Sequence, residues 1–490
     1  MSLAIRSVVV FGDGIAAATA ALALARAYRR LDVEVSLVGR GSLPSAHAAH
    51  AAAPDIAALH RLLGIAEDRL LRETPATFHG GQLFVGWSGE GSNFLHAYGE
   101  AGRAFAGLSF LQHWVRARNG GLRVPLEDFC LAAAAARHGR VPADRPAEPE
   151  VHHGYQLDAR SYQALLMRRC GEEGVAIIRD DAATAEVAAG RIEALRLAAG
   201  ERITADLFVD TDGMLIDSLD PEGACPAQPV CDRLLLASGP AIEPVPLYAR
   251  IAAHRAGHVQ LLPLRDRTAV ALAYASRWMT DAEALAALPS LAGMPILGCD
   301  PPVAQPDHRR KRLWVGNCVA IGDAAGAEPA LEAGALLGLQ LAVAQLVLLF
   351  PVDPAEMAEA AIYDSEIGGQ LARIADFHAM HFRLNRRPGE PFWDAVRVAP
   401  VSAELQAKIA LFRARGMFAH YDHEPYVDES WALCMAGHGL VPEGYDPQVD
   451  KVEEGEAIAA FQGQLRDIAR KVGSMHSHAA ALAQAMASGR

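Results

Sequence analysis

Two glycine turns are the parts of this chain best equipped for chemistry. The first, Gly12-Asp13-Gly14-Ile15-Ala16-Ala17, follows the apolar run Val8-Val9-Val10-Phe11. Gly12 and Gly14 let the backbone turn tightly and approach a pyrophosphate. Ala17 lets a helix sit close to the strand, and the helix start offers unpaired N–H groups to the anion. A GxGxxA pattern is weak alone and gains weight here because a strand precedes it and a helix follows. The second turn, Gly322-Asp323-Ala324-Ala325-Gly326, closes the segment that begins at Trp314 and leads into a long apolar helix. Asp323 can accept a hydrogen bond from a ribityl hydroxyl or cap the helix, and the two roles are compatible. Together the turns predict a bound dinucleotide, and the second points to FAD.

An acidic residue at the end of the second strand normally accepts the ribose hydroxyls of such a cofactor. That strand ends Leu37-Val38-Gly39-Arg40, so glycine stands where the carboxylate is expected. Either backbone and water make the ribose contacts, or Arg40 attracts a 2′-phosphate. The first reading is preferred because the second turn points to flavin. Several histidine groupings have spacings that a metal could use: His152-His153, His378 with His381, His476 with His478, and His47 with His50. No cysteine or carboxylate completes a set in the sequence, so structural or surface roles are expected and no metal site is assigned.

The elements that must hold these residues are readable in outline. Ser7–Phe11 and Val33–Val38 are β-branched runs flanking an alanine-rich helix over Ile15–Arg30, a βαβ unit that opens a doubly wound sheet. Residues 42–62 show no clear strand. Gly80–Trp87 reads as extended, and His258–Leu262 with Thr268–Tyr274 reads as a hairpin. Pro142–Pro149 is a connection, Tyr155–Cys170 an amphipathic helix with an extended entry, and Leu336–Phe350 a buried helix too short to span a bilayer. Beyond Pro351 the pattern is mainly helical. The 490 residues are 51% hydrophobic and 21% charged, a globular composition. A net charge of −13 argues against a nucleic-acid partner, since phosphate binding needs clustered Lys and Arg. Seven scattered cysteines, an odd number without a CxxC pair, suit reduced thiols in the cytoplasm, and no secretory signal is read at the start.

Beyond the two turns, the chain resembles the flavin-dependent tryptophan halogenases over almost its whole length. The resemblance rests on Trp314–Cys318 with Glu328-Pro329; Asp376-Phe377 with His381-Phe382 and Arg386-Arg387; Pro391-Phe392-Trp393; Trp431 with Gly437-His438-Gly439 and Pro442; and Met475 with His478. The segment Asp206–Gly213 is similar to the strand and turn that flavin monooxygenases place beside the adenine. The resemblance implies that reduced FAD from a separate reductase, with oxygen, turns halide into hypohalous acid. That acid reaches a lysine, which presents it to an indole ring, while a glutamate assists substitution.

Several departures from the family pattern bear on that chemistry. The lysine position, in Ala76-Thr77-Phe78-His79-Gly80, is His79. Imidazole is mostly neutral at physiological pH and could orient hypohalous acid only by a hydrogen bond; a satisfied core histidine is the alternative. The family's Glu-Pro-Leu-Glu-Ser-Thr-Gly is Glu328-Pro329-Ala330-Leu331-Glu332-Ala333-Gly334 here. Glu332 falls one residue late, which in a helix turns a side chain by about 100°. The hydroxyls are gone, leaving the N–H groups of Ala333 and Gly334 to hold a halide. The Trp-x-Trp-x-Ile-Pro signature is His258–Pro263 without either tryptophan, and the flavin-lining segment is Ala48–Pro54.

The expected fold is α/β, a FAD-binding doubly wound fold of the flavin monooxygenase/halogenase type with a largely helical second lobe. Its boundaries are set at 1–350, with a substrate-facing sheet segment inserted at about 226–304, and 351–490. The leading function is FAD-dependent halogenation or oxidation of an indole or other aromatic compound. FAD falls to Gly12, Asp13, Gly14, Ile15, Ala16, Ala17, Gly322, Asp323 and Ala324, and catalysis to His79 and Glu332. The expected partners are the aromatic substrate, a flavin reductase and a halide ion, with no membrane and with a homodimer left open. An aromatic hydroxylase and a binding protein that has lost turnover are the alternatives.

Overall fold

The computed structural model describes residues 5–142, 151–226, 230–305, 308–326 and 331–487. Its organising layer is a six-stranded sheet in the order Trp314–Val315, Cys318–Ala320, Leu207–Asp210, Ser7–Phe11, Glu34–Gly39, Ala176–Arg179. All neighbours are parallel except the outermost pair, Trp314–Val315 with Cys318–Ala320. The central strands Ser7–Phe11 and Leu207–Asp210 are buried on both faces, which is why they read as unbroken Val, Leu and Phe runs, whereas the edge strand Ala176–Arg179 is largely exposed. Helix Gly14–Tyr28 buries Ala17 to Ala25. Its alanines let it lie close to the sheet, to helix Ala159–Glu172 and to helix Gly334–Leu348.

A second, mostly antiparallel sheet runs Gly298–Cys299, Arg233–Gly239, Thr268–Tyr274, Gly257–Pro263, Ala249–His254, Gly81–Val85, Asn93–Ala97, with Val303–Ala304 beside Arg233–Gly239. The hairpin across Leu264–Arg267 is as the alternation predicts, closed by Leu264 N–H to the Arg267 carbonyl at 2.9 Å. Segment 226–304 supplies most of this sheet, but its far edge comes from residues 81–97. A small third sheet pairs Gly154–Asp158 with both Ala49–Ala52 and Thr77–His79. The stretch read as strandless therefore contains a strand. Its alanines carry little β-propensity, and pairing to Gly154–Asp158 supplies what the local sequence does not.

Helices Glu359–Arg383, Pro391–Val398, Ala403–Arg415, Asp428–Gly437, Glu454–Ser474 and His478–Ala487 make up most of the C-terminal part. Pro391 starts one helix, where its missing N–H costs nothing, and Ser402 caps another by accepting from Leu405 N–H. Fully buried Trp393 joins this part to the second sheet, its indole N–H donating to the His254 carbonyl at 2.8 Å. Truncating it to alanine would cost about 3–5 kcal/mol. Among the described residues no helix is long and apolar enough to cross a membrane. The helix expected directly after Gly322 is corrected: Gly322–Ala324 forms a single 3-10 turn, and the long helix starts at Gly334. Glu328-Pro329, and the connection at 143–149, lie outside the described residues.

Candidate active site

The strand Ser7–Phe11 ends between its two parallel neighbours, where the carboxyl ends of open α/β sheets bind ligands. Gly12 has φ 121° and Gly14 φ 80°, both in the region that favours glycine. A Cβ on Gly12 would lie 2.2 Å from Thr211 Oγ1, whereas one on Gly14 would meet nothing within 4 Å. Gly12 thus serves internal packing, and Gly14 leaves a cradle at the helix start. The first turn of that helix has no acidic residue and Asp13 makes no side-chain cap bond, so its N–H groups face an anion site uncontested. Ala17 is buried against the sheet, with Ile15 and Ala16 half-buried.

The second turn meets the first. Gly322 has φ 64°, and a Cβ there would sit 3.0 Å from Ala16 Cβ. Ala324 is buried beneath, while Asp323 is accessible but lies in a recess crowded enough to raise its carboxyl above the usual range. Beside them, the Asp210 carboxylate accepts the N–H groups of Asp212, Gly213 and Ile216 at 2.9–3.1 Å, fixing the Thr211–Gly213 turn. The open cradle at Gly14, the uncontested helix start and the Ala16–Gly322 contact fit FAD.

Glu332 is the centre of a second, buried constellation. It lies before the helix, in the left-handed region at φ 56°, an arrangement that costs a non-glycine residue about 1–3 kcal/mol. The expected 100° displacement along a helix does not apply, because Glu332 is not helical. Its side chain, 2% exposed, puts Oε2 3.0 Å from His96 Nδ1 and Oε1 3.4 Å from His381 Nε2. The first distance is a good hydrogen bond, and the second is a close contact at the outer edge of one. Burial pushes the Glu332 carboxyl up, but His96 and His381 outweigh it and hold the group below the ordinary carboxylate range.

This contact fixes His96 as the Nδ1–H tautomer, since a carboxylate only accepts. A hydrogen-bonded file continues from His381. Its Nδ1 is 3.0 Å from His438 Nε2, and His438 Nδ1 is 3.4 Å from the half-buried Ser88 hydroxyl. With Nε2–H of His381 toward Glu332, His438 donates from Nε2 to His381 and its Nδ1 is the acceptor facing Ser88, whose hydroxyl also lies 3.3 Å from the Gly437 carbonyl. Burial lowers both His381 and His438, so the file is neutral. Phe84 stacks on the His381 ring at 4.3 Å. Phe377 packs 5.4 Å from His96, sharing its faces with Tyr426 at 3.9 Å and Trp431 at 4.9 Å.

His79 ends the strand Thr77–His79 and is fully buried. Its Nε2 lies 3.1 Å from the Gln82 side-chain amide, and Gln82 pairs directly across from His96 in the second sheet. His79 and His96 both touch the Tyr98 ring, at 5.7 Å each. Burial pushes His79 down to about 3, against the pull of Glu332. Among the described residues Nδ1 of His79 and Nε2 of His96 are buried without hydrogen-bond partners, a costly arrangement at a site of no use.

With both constellations placed, kinship decides what they belong to. A sequence model of the tryptophan halogenase family matches residues 7–454. The chain belongs to this family. It is 25% identical to tryptophan 7-halogenase RebH of Lentzea aerocolonigenes, over 97% of this chain and 98% of that one. It is 24% identical to tryptophan 6-halogenase ThaL of Streptomyces albogriseolus, over 95% of each. Its structure is similar to BrvH, a flavin-dependent halogenase from Brevundimonas sp. BAL3 (TM-score 0.92, 29% identity, 98% and 99% of the two chains). Xcc4156, a flavin-dependent halogenase from Xanthomonas campestris, gives 0.90 and 27% over 98% of each. The expected fold and the FAD-dependent, halogenase-like oxidoreductase chemistry hold, and neither the hydroxylase nor the binding protein is needed as an alternative.

In this halogenase the sequence pointed to Glu332 and His79 but not to their neighbours. His96, Gln82 and Tyr98 sit in or beside apolar strands, and a polar residue inside such a run was the available signal. His438 enters the sequence reading only through the resemblance, and His381 through the resemblance and through its spacing from His378. A grouping apart from those read in the sequence, His96, Glu332 and Cys434, offers ligand-type atoms within 4.8 Å of one another. His378, by contrast, is buried near Gly334 with no hydrogen-bond partner on either nitrogen among the described residues, and burial pushes it down to about 3. His478 is structural, receiving Phe78 N–H at 3.2 Å and lying 3.0 Å from the Val245 carbonyl. The segment 48–54 brings Ala51 against Ala249, Leu262, Ala269 and Ala333, a mostly small-residue cluster at the start of the long helix.

Proposed function

We propose that this halogenase substitutes halogen for hydrogen on an indole-like aromatic ring, with Glu332 as the base and His79 as the residue that orients the oxidant. When bound, FAD reduced by a separate reductase supplies, with oxygen and halide, the electrophilic halogen. Gly12, Gly14 and the helix start hold the pyrophosphate, while Asp323 and the Gly322–Ala324 turn face the flavin end. The single observation that carries the assignment is the Glu332 carboxylate, buried yet kept ionised by His96 and His381.

An ionised carboxylate suits this step. As the carbon–halogen bond forms, the ring carbon carries a proton that is far more acidic than any carboxylic acid, so a base of low pKa suffices. The negative charge also stabilises the cationic ring, and in a buried site that interaction is stronger than in water. In the His381–His438–Ser88 file His438 donates to His381 and His381 toward Glu332, which orients His381 and stabilises the charge on the base. Phe377, Tyr426 and Trp431 supply aromatic faces beside His96. His79, neutral with a free Nδ1, can hydrogen-bond hypohalous acid but lacks the permanent ammonium of a lysine.

The halide site reduces to backbone near Ala333 and Gly334, and Gly334 N–H already contacts the Leu331 carbonyl at 3.4 Å. Bromide, the easier halide to oxidise, should therefore outperform chloride. We place the FAD lobe at 1–350 and the substrate-capping lobe at 351–490, and the enzyme in the cytoplasm, a placement supported by seven unpaired thiols. The test is turnover with a flavin reductase, an indole, and bromide or chloride. Halogenated product with bromide in excess of chloride supports the proposal; equal chloride turnover counts against the weakened halide site, and no product with either halide counts against the function.

A further inference from the structure

The second strand of the main sheet ends without the carboxylate that a dinucleotide ribose normally requires, and the structure shows what occupies that place. A Cβ on Gly39 would lie 2.3 Å from the Gly12 carbonyl oxygen and 2.7 Å from Asp13 Oδ1. A side chain is excluded there by the glycine turn itself, and a carboxylate oxygen from the turn already sits where that side chain would begin. Asp13 is in extended conformation, φ −126° and ψ 177°, and its Oδ1 accepts the Gly41 N–H at 2.9 Å. That bond pins the carboxylate over the strand end. Among the described residues no donor reaches its Oδ2, and the side chain is half-exposed.

We infer that Asp13 supplies the ribose-binding carboxylate: the acid has moved from the end of the second strand into the glycine turn, and Gly39 is the complementary change that makes room for it. This rests on the FAD reading above. The two neighbouring hydroxyls of an adenosine ribose are donors, and Oδ2 is an unspent charged acceptor at the sheet position where ribose is read. The same charge disfavours a 2′-phosphate. Arg40, exposed beside it, therefore does not make this an NADP-type site, and neither of the two alternatives drawn from sequence, backbone and water or Arg40, is needed.

The experiment is a fluorescence titration of the full-length protein with FAD and with FMN, which has no adenosine ribose, for wild type, Asp13→Asn and Asp13→Ala. Asparagine keeps the shape and an oxygen for Gly41 but removes the charge, so Asp13→Asn remains informative if the alanine variant folds poorly. Asp13→Asn should weaken FAD by about tenfold or more, the scale of losing a charge-assisted hydrogen bond, with FMN affinity unchanged within about twofold. Unchanged or tighter FAD binding would overturn the inference, since the carboxylate would then be idle or repelling the pyrophosphate. Equal weakening of FAD and FMN would overturn it too, reducing Asp13 to a turn-shaping role. A wild-type protein that binds neither flavin would instead defeat the cofactor reading, and this inference with it.

Discussion

The turn at Gly12–Ala17 gathers its function from consecutive residues, half-buried at the end of a strand and with Asp13 as their one charge. Glu332 gathers its function from across the chain. His96 comes from an edge strand, His381 from a long helix, His438 from the end of another, and Ser88 from a loop. The first site is open and waits for an anion; the second is dry, and each polar group there depends on another for its state. The contrast shows a division of labour: the cofactor is held by backbone, which mutation alters slowly, and the chemistry is held by side chains whose protonation is set by burial. The two sites should therefore fail separately.

The largest separation should come at Glu332. Replacing it with glutamine is expected to lower halogenation by about 10²–10⁴-fold, the usual range for a general base, with FAD affinity unchanged within about twofold. Parallel loss of FAD binding would merge the two regions and break the comparison. The converse variant, Gly12→Ala, drives a Cβ into Thr211 from a left-handed backbone. It should cost roughly 2–5 kcal/mol of stability and weaken FAD strongly. Activity at saturating FAD should survive, as read by chemical unfolding and by flavin titration.

The response to pH sharpens the contrast further. His79, His254 and His378 are pushed down to about 3 by burial, against about 6.5 in an unfolded chain. Their folded pKa values are depressed, so the stability they contribute is complete above about pH 6.5 and is lost as pH falls toward about 3. Each accounts for up to about 1.4 kcal/mol per pH unit in that window. Glu332, also depressed, adds in the same direction below about pH 4.3. Urea unfolding at pH 7.5, 6.5 and 5.5 should show a progressive decline, and a flat profile would mean that these imidazoles are not neutral in the fold. A smaller effect is expected from His79→Lys, which restores the family's ammonium. Halogenation should rise by about a fewfold if this position delivers the oxidant, and unchanged turnover would remove His79 from the mechanism.

How much of this was legible follows from the same contrast. The βαβ unit, both glycine turns, the Thr268–Tyr274 hairpin and the C-terminal helices are local patterns, and each lies where periodicity and turn residues put it, except the helix after the second turn, which starts only at Gly334. The strand Ala49–Ala52 escaped because its alanines carry no pattern and its partner is a hundred residues away in sequence. Glu332 is visible in the sequence, but helix geometry misplaces its side chain because the helix starts only at Gly334. The roles of His96, Gln82 and Tyr98 were invisible because they depend on strand register, in which Gln82 and His96 face each other across a pair of strands. The relocation of a carboxylate from Gly39 to Asp13 was also out of reach, since it becomes apparent only when the two backbones are seen to touch.

The central claim is that Glu332 is an ionised base held by His96 and His381. Isotope-edited infrared difference spectra of wild type against Glu332→Gln, with labelled glutamate, isolate its carboxyl band. The account predicts a carboxylate band that persists unchanged from pH 8 to about pH 5. A protonated carbonyl band growing in above about pH 5 would contradict it, because the histidines would then not be holding the charge and the proposed base would be spent before the ring proton arrived.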